Sequence, residues 1–482
     1  MTGKDTPLPA GFGIEADRDT VRLDEGLLFG GSPARIMRLT PAGREAWARL
    51  ADGPVDSPVT GTLARRLTDA GLAHPVPPET GAPELTVIIP VLDRPVLLGR
   101  LLETLGDRHP VLVVDDGSAD ASAIAGVARR HGASLVRRPV NGGPAAARNT
   151  GLEHTTSEFV AFVDSDCLPP PGWIERLARH FADPLVAAVA PRVTALAGGG
   201  SAGRYAAANG GLDLGDRPAL VAPGRRVSYV PTAALLVRRA ALKEVARQGA
   251  VFDPEMRLGE DVDLIWRLHE GGWRVRYDPA VRIGHHEPAT WRGLFVRRFR
   301  YGSSAAALSL RHPGAAQPLA LHLWPALTVA GLLARRPVPA AAAFGAGNLT
   351  MIRSLRGHRV PARGVPRAMA TAVHQTWLGT GRYGTQFAAP VLLALLAVPG
   401  RHGRGLGGRL GRRVAVASLL LGPPLTAWAA RRPPLDPVRF TLGVIADDIA
   451  YGAGVWYGCA AERTTLPVRP MIAWPALKPV QT

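Results

Sequence analysis

The sequence predicts an α/β protein centred on a parallel, doubly wound sheet, with a small α+β segment before it and a helical, apolar, basic region after it. Three observations carry this expectation. Between residues 84 and 163, short apolar runs alternate with stretches of helical spacing, the pattern of βαβ units. Acidic residues stand at the carboxyl ends of these runs, at Asp93, at Asp115 and Asp116, and at Asp164 and Asp166. From about residue 315 the chain changes to apolar segments separated by Arg-rich and Gly-rich connectors.

A chain of 482 residues should hold more than one domain. The formal charge is +18, and it is unevenly placed. Residues 297–482 carry 23 Arg and Lys against 4 Asp and Glu, a net +19, which leaves residues 1–296 near −1. The sheet-bearing part is therefore almost neutral. Two cysteines, Cys167 and Cys459, exclude a disulfide framework and a Cys-rich zinc site. The first residues hold no apolar run, so no secretory signal peptide is expected. The catalytic part is expected in the cytoplasm.

In chain order, residues 1–82 open with short strand-like pieces at Val21–Asp24 and Ala34–Leu39. A helix with Pro41 at its first position follows, and a second runs from Val59 to Ala70 and stops at Gly71. Pro75 to Pro83 reads as a linker. The next domain, residues 83–310, begins with a strand at Leu85–Pro90 and a helix at Pro95–Leu105. A strand at Val111–Val114, a helix at Ser122–Gly132 and a strand at Ala133–Val136 come next. A helix from Pro144 then leads to the apolar strand Phe159–Val163, which ends in Asp164-Ser165-Asp166. Carboxylates at the carboxyl ends of such strands lie where α/β sheets bind ligands. Hard oxygen ligands there suit Mg²⁺ or Mn²⁺. One acidic cluster could be a helix N-cap; three converging on one sheet edge favour a nucleotide site.

These residues also carry a resemblance. Val87-Ile88-Ile89-Pro90, Val113-Val114-Asp115-Asp116-Gly117-Ser118, Asn141-Gly142-Gly143-Pro144 through Ala147-Arg148-Asn149-Thr150-Gly151, and Phe162-Val163-Asp164-Ser165-Asp166 look like successive signatures of family 2 glycosyltransferases. Those are inverting enzymes of GT-A fold that use nucleotide-sugar donors. The resemblance implies that Pro90 and Asp93 lie near the nucleoside and that Asp115 or Asp116 holds the base. Arg148 and Asn149 would sit close to the donor, with Arg148 a candidate diphosphate clamp. Asp164 and Asp166 would hold the ribose and the metal-bound diphosphate.

Inversion needs a base for the acceptor hydroxyl. Glu260-Asp261 occupies the family's place for it, and Asp261 is the expected base, with Glu260 beside it. Asp263 reads as a surface or supporting carboxylate. His285 or His286 would help bind metal or diphosphate, although paired histidines can equally be strand-end hydrogen bonders. Arg297-Arg298-Phe299-Arg300-Tyr301 stands where relatives carry a closing segment. The Gln-x-x-Arg-Trp form of processive synthases is absent, which argues for adding one or a few sugars.

The third region, residues 311–482, holds apolar segments at Leu319–Leu333, Pro337–Ile352, Phe387–Val398, Val414–Ala430 and Phe440–Cys459. Each is interrupted by Pro, Gly or charge, and Asp447-Asp448 would be costly in lipid unless facing protein. Weak spans or interfacial helices compete here with a soluble bundle. Arginine clusters beside apolar helices suit an anionic cytoplasmic leaflet, so the inner face of a membrane is the expected location. No aromatic-and-basic interleaving supports nucleic acid as a partner.

Residues 1–82 loosely resemble the winged-helix modules that bind leader peptides in ribosomal peptide-natural-product pathways; a structural cap on the next domain is the other reading. The whole layout is similar to the glycosyltransferases of mycofactocin biosynthesis, which decorate a peptide-derived redox cofactor. That resemblance implies a UDP-sugar donor, UDP-glucose first, a peptide-derived acceptor, and contact with a precursor peptide or pathway protein. The alternatives are a membrane-bound family 2 enzyme acting on polyprenyl phosphate or cell-wall glycan, and a non-catalytic peptide-binding scaffold.

Overall fold

The computed structural model describes residues 6–81, 83–196, 198–315, 318–356, 364–397 and 406–473. They fall into two compact units: one comprises the described residues up to 196 together with 210–287, the other 198–209 and those from 288 onward.

In the first unit the N-terminal segment carries β1 (Gly13–Ala16), β2 (Val21–Asp24), β3 (Leu27–Gly30), β4 (Arg35–Arg38), α1 (Pro41–Asp52), α2 (Pro58–Ala70) and β5 (Ala73–Val76). β2, β3 and β4 form an antiparallel meander, and β1 pairs with β5. The helix ends follow their capping residues. The Thr40 hydroxyl accepts the Gly43 N–H at the start of α1. Ser57 and Thr60 form a reciprocal capping box on α2, and Gly71 ends it in the left-handed conformation. Met37, Leu50, Leu63 and Leu67 are buried in a core of this segment's own.

The segment is fastened to the sheet beyond it by ion pairs. Arg65 Nη1 and Nη2 donate to Asp183 at 2.6 and 2.8 Å, with both side chains 2% exposed. Arg274 Nε and Nη2 donate to Asp69 at 2.8 and 2.6 Å. Arg226 and His74 meet at Asp17, 2.9 and 2.8 Å from Oδ2.

The central sheet is built from β6 (Leu85–Val91), α3 (Pro95–Leu105), β7 (Val111–Asp115), α4 (Ala121–Arg130), β8 (Ser134–Arg137), α5 (Gly143–Glu153), β9 (Phe159–Val163), β10 (Cys167–Leu168), α6 (Trp173–Ala178) and β11 (Val186–Ala195). After an excursion through α7 (Gly200–Asn209) in the other unit, β12 (Ala219–Val221), β13 (Ala234–Arg238), α8 (Arg239–Val245), α9 (Glu260–Glu270) and β14 (Arg274–His285) complete it. The strand order is β10-β14-β11-β13-β9-β6-β7-β8, with β12 on β14. β9, β6, β7 and β8 are mutually parallel, as the alternating pattern requires. β13 departs from it, running antiparallel to β9 with Ala234 opposite Val163. The chain enters β13 from the edge where β9 ends, the Asp164 N–H donating to the Ala233 carbonyl at 2.9 Å, so the strand can only run back along its neighbour.

The second unit is helical: α7, α10 (Trp291–Ser303), α11 (Ala305–Arg311), α12 (Leu323–Leu333), α13 (Pro337–Arg356), α14 (Val365–Ala397), α15 (Leu406–Arg431) and α16 (Pro437–Ala461), with a small pair of strands, β15 (Ala320–His322) and β16 (Met471–Ala473). α14 is kinked at Ala388, two residues before Pro390. Helices α10 and α16 touch through glycines, since a Cβ on Gly302 or Gly458 would overlap backbone of the facing helix. Asp447 and Asp448 on α16 do face protein: Arg298 Nε donates to Asp447 at 2.8 Å, and Gln386 Nε2 and Arg382 Nε to Asp448 at 2.8 and 3.2 Å. Among the described residues one helical stretch, Leu410–Arg431, is long and apolar enough to cross a membrane.

Candidate active site

The site is organised by a buried arginine. The first part of α5 is alanine-rich, which lets Arg148 lie in the interior, 3% exposed. Its Nη2 donates to Asp164 Oδ1 at 2.7 Å and its Nη1 to Glu260 Oε1 at 2.8 Å, while the guanidinium faces the Phe252 ring at 5.7 Å. One side chain thus ties the end of β9 to the start of α9. Each terminal nitrogen gives one N–H to a carboxylate, so in this structure Arg148 bridges Asp164 and Glu260; the diphosphate role expected for it is a proposal beside that bridge. Asn149 is committed in the same way, its amide donating to the Phe252 carbonyl at 2.7 Å and accepting the Phe252 N–H at 2.9 Å. It holds the loop that leads to α9.

Gly259 precedes α9 with φ +82, a conformation open to glycine at little cost. Glu260, Asp261 and Asp263 then fill the first helical turn, where the dipole favours anions. Burial raises the Glu260 carboxyl and the adjoining Asp261 charge raises it further, against the pull of Arg148, up to about 7. Burial also raises Asp261, although Arg148 and the backbone N–H groups of Val262 and Thr232 favour its ionised form. Asp263 is buried and receives Arg267 Nε at 2.7 Å, so of the two expected readings, surface or supporting carboxylate, it is not at the surface.

Asp166 is the second focus. Its carboxylate is paired with Arg94 at 2.5 Å and lies 3.4 Å from His285 Nε2. The other ring nitrogen, Nδ1, is 3.1 Å from Glu287 Oε1. Burial opposes charge on this imidazole, yet Asp166 and Glu287 outweigh it and raise His285 to about 9. His286 contributes differently: its backbone N–H donates to the Asp166 carbonyl at 2.9 Å, and its own ring is lowered by burial and by Arg100. The His285 ring reaches Asp166 through Nε2 at 3.4 Å.

The remaining expected residues shape the strand ends. Asp115 accepts the Ser118 N–H at 2.9 Å and pairs with Arg137. Asp116 accepts Arg138 Nε at 2.7 Å and the N–H groups of Gly142 and Gly143 at 3.1 and 2.7 Å. Both are buried. Asp93 is exposed, takes φ +54, and accepts the Ala119 N–H at 2.7 Å while its own N–H donates to the Ser118 hydroxyl. Pro90 is in β6, paired with Val114.

Residues 86–245 match the model of glycosyl transferase family 2. Over 97% of its length the chain is 39% identical to the pre-mycofactocin glycosyltransferase of Mycobacterium tuberculosis, of which it covers 99%. The chain belongs to this glycosyltransferase family. The glycosyltransferase AglE of Haloferax volcanii is 27% identical over 46% of this chain and 72% of its own. Among solved structures, a mannosyltransferase from Pyrobaculum calidifontis is 22% identical over 62% of this chain and 89% of its own, with a TM-score of 0.39, a likeness too loose to argue from.

For a divalent cation, the fit rests on Asp166 and His285. Among the described residues no group of three or more His, Cys, Asp or Glu is gathered to hold a metal. The two side chains would take one only with the His285 ring neutral, its Nε2 lone pair replacing the N–H that faces Asp166 while Glu287 holds the other nitrogen, the arrangement that orients metal-binding histidines. Mg²⁺ and Mn²⁺ usually complete their shell with water and substrate phosphates. Arg94, Arg137, Arg138 and Glu287 were not singled out from the sequence. Glu287 stands two residues after His285, Arg94 follows Asp93, and Arg137 and Arg138 stand at and just after the end of β8, which is the signal the sequence offers.

Proposed function

We propose that this glycosyltransferase moves a hexose, glucose first among candidates, from a UDP-sugar to the peptide-derived pre-mycofactocin acceptor, with inversion at the anomeric carbon. The observation that supports it most is the Arg148 bridge, which joins the donor-side carboxylate Asp164 to the acidic start of α9. The near full-length similarity to a pre-mycofactocin glycosyltransferase supports the acceptor.

Glu260 Oε1 pairs with Arg148, and Asp261 beside it, at the family's place for the base, is the proposed base. The acceptor oxygen attacks the anomeric carbon and its proton passes to an Asp261 oxygen. The bond from that carbon to the nucleoside diphosphate breaks, and its electron pair leaves on the diphosphate. The backbone N–H of Val262, 2.8 Å from Asp261 Oδ1, fixes the carboxylate in place. Asp166 and His285 would hold Mn²⁺ or Mg²⁺, which supplies charge neutralisation to the departing diphosphate. Asp115, Asp116, Asp93 and Pro90 would frame the nucleoside.

The basic, apolar character of residues 297–482 and the exposed Leu410, Val414, Leu421 and Leu425 of α15 support work at the cytoplasmic face of a membrane. The N-terminal segment remains a candidate contact for a precursor peptide. The test is transfer by the purified chain with UDP-glucose and Mn²⁺ or Mg²⁺, against pre-mycofactocin and against polyprenyl phosphate, read by mass and by the anomeric configuration of the product. A hexose gain on pre-mycofactocin with inversion is expected; transfer only to the lipid would move the reading to envelope glycans.

A further inference from the structure

Within the helical unit, α12, α13, α14 and α15 line an open pocket of about 990 Å³. Its wall is made mainly of alanine, glycine, leucine and valine, with Phe344 and Trp377 as the large side chains. No Asp or Glu lines it. Its two hydroxyls are already used, Thr328 donating to the Trp324 carbonyl and Ser418 to the Ala415 carbonyl, each at 2.8 Å. Apart from Arg335 at the mouth, only His374 and the Trp377 indole remain to meet a polar ligand, so a sugar, nucleotide or peptide would lose more hydrogen bonds to water than it regains there. The pocket is open to the surface, and apolar walls of this extent held against water favour an apolar occupant. The occupant is therefore apolar.

The cavity's position says which apolar molecule. Leu332, Leu410 and Val414 line it and are also 57%, 66% and 58% exposed, so it opens onto the apolar outer surface of α15. At that opening the chain is cationic. Arg335, in the turn after α12, lies against Gly411 at the start of α15, and Arg336, Arg412 and Arg413 flank the two. An apolar slot with an arginine at its mouth matches a hydrocarbon chain ending in an anionic phosphate.

We propose that this cavity binds one acyl chain of an anionic membrane phospholipid, with the headgroup phosphate at Arg335. This rests on the membrane-surface reading above and deepens it, assigning a discrete lipid site in place of general adhesion. The test uses the full chain with dioleoylphosphatidylglycerol. Native mass spectrometry reads stoichiometric lipid, and co-sedimentation with vesicles of the same lipid reads surface binding. G345F is the blocking variant, because a Cβ at Gly345 meets nothing within 4 Å and the added ring can enter the cavity without displacing backbone. A370L narrows the slot from α14 as an independent check, and sugar transfer confirms that both variants fold.

One retained lipid per wild-type chain is expected, with at least tenfold weaker retention in both variants and unchanged sedimentation. R335Q should remove the preference for phosphatidylglycerol over phosphatidylcholine. Sedimentation with no retained lipid, or equal retention in wild type and G345F, overturns the lipid site and leaves the surface reading standing. Stoichiometric retention without sedimentation does the reverse.

Discussion

Arg148 divides its guanidinium between Glu260 and Asp164 at 2.8 and 2.7 Å, and this division sets the charge balance of the site. Two neighbouring carboxyls, Glu260 and Asp261, are raised by burial, and Arg148 is the cation that pulls them back. A base must be ionised to accept a proton, so turnover should fall as the pH drops through the pair's apparent pKa. That acid limb is expected above the usual carboxylate range, because burial raises both carboxyls. R148M removes the counter-charge, so the limb should move to higher pH in those molecules that fold; a limb that stays in place would deny Arg148 this role. D261N should lower kcat by roughly 10²–10⁴-fold, the usual contribution of a positioned base, with donor affinity retained in calorimetry. Lost donor affinity would make Asp261 a binding residue instead. The carboxylates were legible in the sequence because strand ends and helix starts mark themselves. The roles of Arg148 and Asn149 were not, since a motif residue next to a donor site reads the same whether it faces the ligand or the core, and only burial separates the two.

Secondary elements of the parallel half follow their sequence signals closely: the helix expected at Pro95–Leu105 is α3 to the residue, and Phe159–Val163 is β9. There the apolar period and the Pro and Gly boundaries agree. In β14 a Pro, Pro279, falls inside the strand, where such a residue usually marks an edge or a bulge. The structure runs one strand from Arg274 to His285 and takes up the irregularity as a register shift against Pro191 and Arg192 of β11. The first half of α14 was also illegible, because its arginines and polar residues show no apolar run although tertiary packing makes it helical. At this scale the N-terminal segment makes its own prediction. Asp183 feels burial first, but Arg65 more than offsets it and holds the carboxyl below the usual 3.8. Such a group contributes stability that is present above its unfolded pKa and is lost as the pH falls through its folded one. The fastening of residues 6–76 should therefore weaken below about pH 4. D183N should expose the amides of α2 and β5 to hydrogen exchange and cost about 3–5 kcal/mol, because it strands the Arg65 charge in the interior. Full retention of protection would show that the other ion pairs suffice.

For the whole molecule, the deciding quantity is the contrast between residues 297–482 at net +19 and residues 1–296 near −1. A single-sign surplus of this size is not needed to fold a helical unit, and like charges oppose compaction. It gains a purpose where an anionic surface supplies the counter-charge, each basic residue near such a surface contributing about 1 kcal/mol. Exposed apolar side chains on α15, among them Leu410 and Val414 at 66% and 58%, would give the same region a second means of attachment to the proposed surface. The two can be separated by salt, since the screening length falls from about 10 Å at 0.1 M to about 3 Å at 1 M, while burial of hydrocarbon does not weaken. Co-sedimentation with phosphatidylglycerol vesicles should be tight in dilute salt, fall steeply toward 1 M NaCl, and level off above zero. Substituting Leu410 and Val414 with serine should remove the plateau and leave the steep part. A salt-independent curve would assign the attachment to apolar contact alone, and binding equal on neutral phosphatidylcholine would leave the charge surplus without its proposed partner.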